Sequence, residues 1–356
     1  VHFTFSDQQV EFRDAVRQVL AKECTTDALR AAYDAPAART PRWATLVELG
    51  VVGLTAPEDA GGLALGLVDL VPLLEEAGRV ALPEPLLETT ALALPLLADP
   101  VVTGGAITGG ALHEDAARWL GRLAEGEATA AVGSGDPGGP PVAGAVGCDL
   151  LVLAVGQGTT SPEIHLVEAD RITVDPVPSL DPTRRLGIPR WTPSPATLLA
   201  SGPAAAALMA VTSDRAATAT AAELVGLSER MIGTAADYAK ERRQFGTPIG
   251  GFQAVKHLLA GAQVRLEFAR PLVYAAAWSL DHGEPGASRS ASTAKAYASD
   301  AATEAARVSL QVHGAIGYTW ECDLQLFLKR AWALAAAWGS AADHRRLVLD
   351  SLVAGD

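Results

Sequence analysis

After Pro203 the chain carries proline only at positions 248, 271 and 285, and none from there to Asp356. Apolar residues recur through this stretch at intervals of three and four, which predicts a bundle of about four long helices. Pro271 falls inside an otherwise helical pattern and predicts a kink. The same spacing marks residues 6–30, 41–50, 66–79, 85–99 and 111–124, separated by Pro, Gly and Asp, so the first third is predicted to be helical too. From about residue 127 the texture changes. Short β-branched runs at Leu150–Val155, Ile164–Val167 and Ile172–Val174 stand between turn residues and predict a small β region. With no short-period repeat, the expected organisation is α+β, mainly α: an N-terminal helical domain over 1–126, a reduced β domain over 127–202 and a helical bundle over 203–356.

The chain has 356 residues, about half of them apolar, enough to bury a large core. Its net charge of -13, with no Lys/Arg-rich run, argues against a nucleic-acid partner. Cys24, Cys148 and Cys322 are far apart, a spacing that suggests neither a zinc site nor a disulfide framework. The opening "VHFTFSDQQVEFRDAV" carries charges where a signal peptide needs an apolar run, and no uncharged apolar segment of about 18 residues follows. The expectation is a cytoplasmic protein that does not engage a membrane.

Two stretches carry specific chemistry. Residues 238–257, "YAKERRQFGTPIGGFQAVKH", place a basic doublet, an aromatic and a Gly-rich turn between two helical patterns, and residues 311–330 read "QVHGAIGYTWECDLQLFLKR". Together they resemble the two C-terminal signatures of the acyl-CoA dehydrogenase family. The earlier "LVELGVVGLTAPEDAGGLALGLVDLVPLLEEAGR" is similar to that family's opening domain, so the resemblance spans most of the chain. It implies the acyl-CoA dehydrogenase fold, FAD as cofactor, and removal of a proton and a hydride from adjacent carbons of an acyl-CoA thioester.

In that family the end of one bundle helix reaches the FAD of the neighbouring subunit. The resemblance assigns Arg242 to the pyrophosphate, Gln244 and Phe245 to the adenosine half, Gln253 to a further contact, and Gln311, Gly314 and Ala315 to the lining of the same ADP moiety. The residue types suit these roles, because a guanidinium fork matches phosphate and small residues let backbone approach it. Ala315 stands where the family usually has a second glycine. Each residue also has a plain structural reading. Arg242 and Arg243 complement the negative end of a helix dipole, Gly246 stops a helix, Gly314 and Gly317 permit packing, and His313 satisfies itself at a helix end. Lys256 and His257 are expected to be solvated.

The family pattern is broken at two places. Its Thr-Glu-Pro turn, Ala-Gly-Ser-Asp run and Trp-Ile-Thr strand, which cradle the flavin ring, are reduced here to Ser134, Gly135 and Asp136. Its catalytic Glu is replaced by Trp338, followed by Gly339 and Ser340, and the alternative position on the helix before the Arg signature holds Ala216. Indole cannot accept the proton. Asp214, nearby, is read as a helix cap. Glu321 is read as a partner for Lys329 or Arg330 rather than as a substitute base.

A chain with ADP-gripping signatures but neither flavin floor nor base resembles the shorter subunit of heteromeric actinobacterial acyl-CoA dehydrogenases of steroid side-chain degradation. There a longer partner supplies the Glu and the flavin cradle in a heterodimer or heterotetramer, and the acyl-CoA sits mainly on that partner. Two other readings fit the same residues: a structural or regulatory subunit that never touches FAD, and a homomeric dehydrogenase with an unforeseen base.

Overall fold

The computed structural model describes residues 4–37, 39–103 and 111–355, so Val1–Phe3 of the opening stretch lie outside it. Helix α1 (Asp7–Glu23) opens on a capping box in which Gln9 N donates to Ser6 Oγ and Ser6 N to Gln9 Oε1. It is followed by α2 (Thr26–Asp34), α3 (Pro41–Glu48) and α4 (Leu67–Arg79). The apolar run predicted as one helix over 85–99 is a π-helical turn, Leu87–Ala93, that continues into α5 (Leu94–Ala98). Thr90 Oγ1, buried in that turn, donates to Val52 O at 2.9 Å, and Thr89 Oγ1 accepts from Ala130 N at 3.2 Å. These two threonines give the turn side-chain partners in the segments on either side of it. Short α6 (Pro100–Thr103) and then α7 (Ala111–Ala124) complete the first third.

Six strands follow: β1 (Ala130–Ser134), β2 (Leu150–Val155), β3 (Glu163–Glu168), β4 (Thr173–Pro176), β5 (Gly187–Arg190) and β6 (Leu198–Ser201). One sheet has the order β1-β2-β3-β6, with β1 parallel to β2 and the other pairs antiparallel; β4 and β5 form a separate antiparallel pair. The C-terminal part comprises α8 (Gly202–Glu241), a two-residue hairpin β7 (Arg243–Gln244) and β8 (Thr247–Pro248), α9 (Gln253–Asp281), α10 (Ala287–His313), α11 (Leu324–Ala336) and α12 (Ala341–Ala354). Helix α9 runs through Pro271 without ending. The last helix of the bundle is split into α11 and α12 at Trp338 and Gly339, both in left-handed conformation (φ +56° and +98°). Asp214 lies well inside the 40-residue α8, so it is not a cap: the helix begins at Gly202, ahead of Pro203, which occupies a first-turn position that needs no N–H. Among the described residues no helix is long and apolar enough to cross a membrane.

By packing, the chain forms two compact units. One comprises Val1–Arg30, Val71–Leu82 and Ala217–Asp356; the other comprises Ala31–Leu70 and Pro83–Ala216. In the first, α10 is central because its inward positions are small: Ala291, Ala294, Ala298, Ala302 and Ala305 are fully buried. Close approach recurs where α4 meets α8. A methyl group at Gly226 would lie 1.9 Å from Glu75 O, and one at Gly78 would lie 2.1 Å from Glu223 O, so only glycine fits at either position. The glutamates beside this contact are paired. Glu75 accepts from Arg270 Nε at 2.8 Å and from the Tyr274 hydroxyl, Arg270 also reaches Glu229 at 2.7 Å, and Arg17 reaches Glu76 at 2.6 Å. Burial pushes the Glu75 carboxyl above its ordinary range, with Arg270 opposing.

The second unit centres on the sheet, whose core of Ala131, Val142, Ala145, Cys148, Leu151, Leu153 and Val167 is closed by Ile172, Val174 and Trp191.

Candidate functional site

The two signature stretches meet at one end of the bundle, the C-terminal ends of α8 and α10. The rings of Tyr238 on α8 and His313 on α10 stack with centroids 4.4 Å apart and planes 18° from parallel. His313 is buried, and its Nδ1 donates to Ser309 O at 2.8 Å, which leaves it the satisfied helix-end histidine expected from sequence.

Beyond Glu241 the chain turns at once. Arg242 N donates to Tyr238 O and Ile249 N donates to Arg242 O, both at 2.8 Å, so the β7–β8 hairpin is tied at its base to the last turn of α8. Phe245 and Gly246 occupy its tip with φ of +52° and +80°, the positive pair that a type I′ turn demands. That conformation is routine for glycine and strained for phenylalanine. Its consequence is a ring 93% exposed, held only edge-on by Phe252 with centroids 6.2 Å apart. Arg242, Gln244 and Gln253 are likewise exposed, with Gln253 in the first turn of α9, and among the described residues Arg242 has no carboxylate partner. Lys256 and His257 are solvated.

On the α10 side Gln311 is exposed, Gly314 has φ +64° with open space where a side chain would stand, and Ala315 lies exposed on the 3-10 turn Gly314–Tyr318. The arrangement thus brings together, among the described residues, a guanidinium without a carboxylate partner, three side-chain amides, an outward aromatic face and a backbone turn with open space at Gly314. Such a surface can bind an anion joined to a flat ring.

The positions where proton abstraction would be expected hold no base. Ala216 is fully buried in α8. Trp338 is only half-buried, although an indole standing in place of a pocket carboxylate would be expected to pack as core. The left-handed turn explains the difference: its peptide carbonyls are what the interior holds. Trp338 O accepts from His344 Nε2 at 2.9 Å and Gly339 O accepts from Lys295 Nζ at 3.0 Å. Glu321 is exposed and does not make the predicted pairing. Its carboxyl is held below the ordinary range by a hydrogen bond from Thr319 and, more weakly, by Arg30, while Lys329 reaches Gln325 and the Trp320 ring and Arg330 reaches Leu82 O. An exposed carboxylate of lowered pKa is a poor base for a carbon acid.

In the sheet unit, Ser134 and Asp136, expected from sequence to be a trace of a flavin cradle, make hydrogen bonds within the unit. Ser134 Oγ accepts from Asp136 N at 3.2 Å, and Asp136 Oδ1 accepts from Gly156 N at 2.8 Å. Above Gly135 the space is taken by Trp191, whose Cζ2 would lie 2.7 Å from an added methyl. Nothing in the sequence singled out Trp191, which lies far along the chain from Gly135.

Residues 6–127 match the acyl-CoA dehydrogenase N-terminal domain, and residues 205–353 match the acyl-CoA dehydrogenase C-terminal domain. Over 343 residues the chain is 32% identical to the acyl-CoA dehydrogenase IpdE2 of Mycolicibacterium smegmatis, covering 96% of this chain and 97% of that protein. The Mycobacterium tuberculosis IpdE2 is 34% identical over 91% of both chains. Among solved structures, the Tcur3481–Tcur3483 steroid ACAD superposes with a TM-score of 0.83 at 25% identity over 98% of both chains. The ChsE4–ChsE5 complex from Mycobacterium tuberculosis gives 0.84 at 22% identity over 99% of both. On these matches over nearly its whole length, the chain belongs to the acyl-CoA dehydrogenase family.

Proposed function

We propose that this chain is the cofactor-gripping subunit of a heteromeric, FAD-dependent acyl-CoA dehydrogenase, inactive alone, whose longer partner carries the catalytic glutamate and the cradle for the flavin ring. The observation that carries this reading is the asymmetry between its two units. The bundle end presents Arg242, Gln244, Phe245, Gln253, Gln311 and Ala315 exposed and Gly314 half-buried with open space where a side chain would stand, whereas the sheet unit has Ser134 and Asp136 hydrogen-bonded internally and Gly135 covered by Trp191. These residues fit a dinucleotide. Arg242 would hold its pyrophosphate, Phe245 and Gln244 its adenosine half, and the backbone at Gly314 and Ala315 would approach the same moiety closely. Bound FAD would supply the hydride acceptor; this chain's part would be to fix its ADP end, and the proton would be taken elsewhere because Trp338 and Ala216 cannot take it.

A partner is supported by exposed apolar side chains on bundle helices: Val264, Phe268 and Trp278 on α9, and Leu347, Leu349, Leu352 and Val353 on α12. The FadE34 relative, 34% identical over 88% of this chain, has only 42% of its own length in the match, so there a module like this one is continuous with a longer stretch of polypeptide. The likeness to a steroid ACAD supports a bulky acyl-CoA, such as a steroid side-chain thioester, as substrate. The domain boundaries at about 126 and 202 belong to the same proposal, as does a cytoplasmic location.

Purifying the chain alone and with the product of a neighbouring gene, then recording flavin absorbance and turnover, tests the reading. Colour and acyl-CoA oxidation are expected only for the pair. A yellow, active homomer would overturn it.

A further inference from the structure

The stacked pair Tyr238–His313 joins the two signature helix ends side chain to side chain. We infer that this pair is a positioning clamp: it sets the spacing between the Arg242 hairpin and the Gly314–Ala315 turn, and so pre-forms the ADP grip. The inference rests on the proposed FAD contact and adds residues to it.

Each ring is fixed to a different half of the grip. Tyr238 precedes Arg242 by one helical turn, its carbonyl receives the Arg242 N–H at 2.8 Å, and Arg242 O in turn receives Ile249 N at 2.8 Å, so the hairpin is built directly on the turn that bears the Tyr238 ring. His313 is the last residue of α10, with Nδ1 anchored on Ser309 O. The Gly314–Tyr318 turn packs down on it: a methyl at Gly317 would lie 2.8 Å from Leu310 Cδ1 and 3.1 Å from His313 Cβ. A displacement of either ring therefore moves one wall of the grip relative to the other. The near-parallel planes, 18° apart at 4.4 Å, favour a stacked register over a sliding one.

The ring of Tyr238 carries this role and its hydroxyl does not. Among the described residues the hydroxyl has no hydrogen-bond partner, and the side chain is only half-buried, so its loss leaves no large cavity. Without the stack the two halves would still exist, but FAD would have to order them on binding, and affinity falls by the cost of that ordering.

The test measures FAD affinity in whatever complex purifies from the native host with a tag on this chain, stripped of flavin and titrated with FAD. Three variants are compared: Tyr238→Leu, Tyr238→Phe and Arg242→Ala. The clamp predicts that Tyr238→Leu raises the FAD Kd about three- to tenfold, the worth of one aromatic stack. Tyr238→Phe should stay within about twofold of wild type, and the thermal midpoint of the flavin-free complex should hardly move in either. If Arg242→Ala weakens FAD but Tyr238→Leu does not, the clamp is wrong while the FAD reading stands. An unchanged Kd in Arg242→Ala removes the FAD reading and the clamp with it. A Tyr238→Phe defect as large as that of Tyr238→Leu, or a midpoint falling in step with affinity, would show a hydroxyl or merely structural role and overturn the inference.

Discussion

Lys295, fully buried on α10, donates from Nζ to the backbone carbonyl of Gly339 at 3.0 Å, one residue beyond Trp338. The same ammonium reaches Ala335 O and Ser299 Oγ, each at 3.1 Å, so one buried charge caps the end of α11 and holds the left-handed turn at Trp338 and Gly339. Removing it as Lys295→Met should leave two inward carbonyls without their donor, a loss of about 2–4 kcal/mol. Chemical denaturation followed by far-UV circular dichroism checks this, and a variant as stable as wild type would mean that the turn does not depend on the lysine.

Because Trp338 is only half-buried, Trp338→Ala is expected to cost about 1–2 kcal/mol, less than the roughly 3–5 kcal/mol of a fully buried tryptophan. Trp338→Glu restores the residue type of the base without restoring the flavin cradle. It should give no acyl-CoA oxidation by this chain alone, measured with an artificial electron acceptor. Activity in that variant would show that the sheet unit holds a flavin ring after all.

His344 bonds the same turn, with Nε2 donating to Trp338 O and Nδ1 facing Ser292 Oγ, whose hydroxyl can donate to it when the ring is neutral. Burial, helped by the nearby Lys295 charge, holds its pKa below the ordinary histidine value, although the bond to Trp338 opposes the shift. With the folded pKa depressed, the unfolded chain binds the extra proton first. This contribution is therefore complete above the unfolded value near 6.5 and is lost as pH falls through the lower, folded value. Urea unfolding should show stability declining from pH 7 to pH 5, and His344→Gln should flatten that decline. An unchanged slope in the variant would remove His344 as its source.

Arg242→Ala should lower FAD affinity of the assembled complex by about ten- to a hundredfold, corresponding to roughly 1.5–3 kcal/mol for a charge-assisted contact. Fluorescence of released flavin during dialysis measures it. Retention equal to wild type would take Arg242 out of the site.

What the sequence made legible followed from local rules. Proline placement and apolar spacing gave the helical stretches, the β-branched runs at Leu150–Val155 and Ile164–Val167 became β2 and β3, and Arg242 and Phe245 lie exposed just beyond the end of α8. The misses are tertiary. The π turn at Leu87–Ala93 depends on the partners of Thr89 and Thr90, both distant in sequence. The break at Trp338 depends on Lys295 and His344, which no helical periodicity foreshadows. Trp191 over Gly135 brings together residues on different strands and loops, and so does the stack of Tyr238 on His313 across two helices.

The most direct measurement of the composite-site account is the amount of FAD per chain in the complex isolated through this protein. Released FAD is quantified by absorbance against protein mass, with subunits counted by mass spectrometry under native conditions. One bundle end from this chain and one flavin cradle from its partner should give one FAD for each pair of chains, and two for a heterotetramer. One FAD for every chain would contradict it, because each sheet unit would then be holding a flavin of its own.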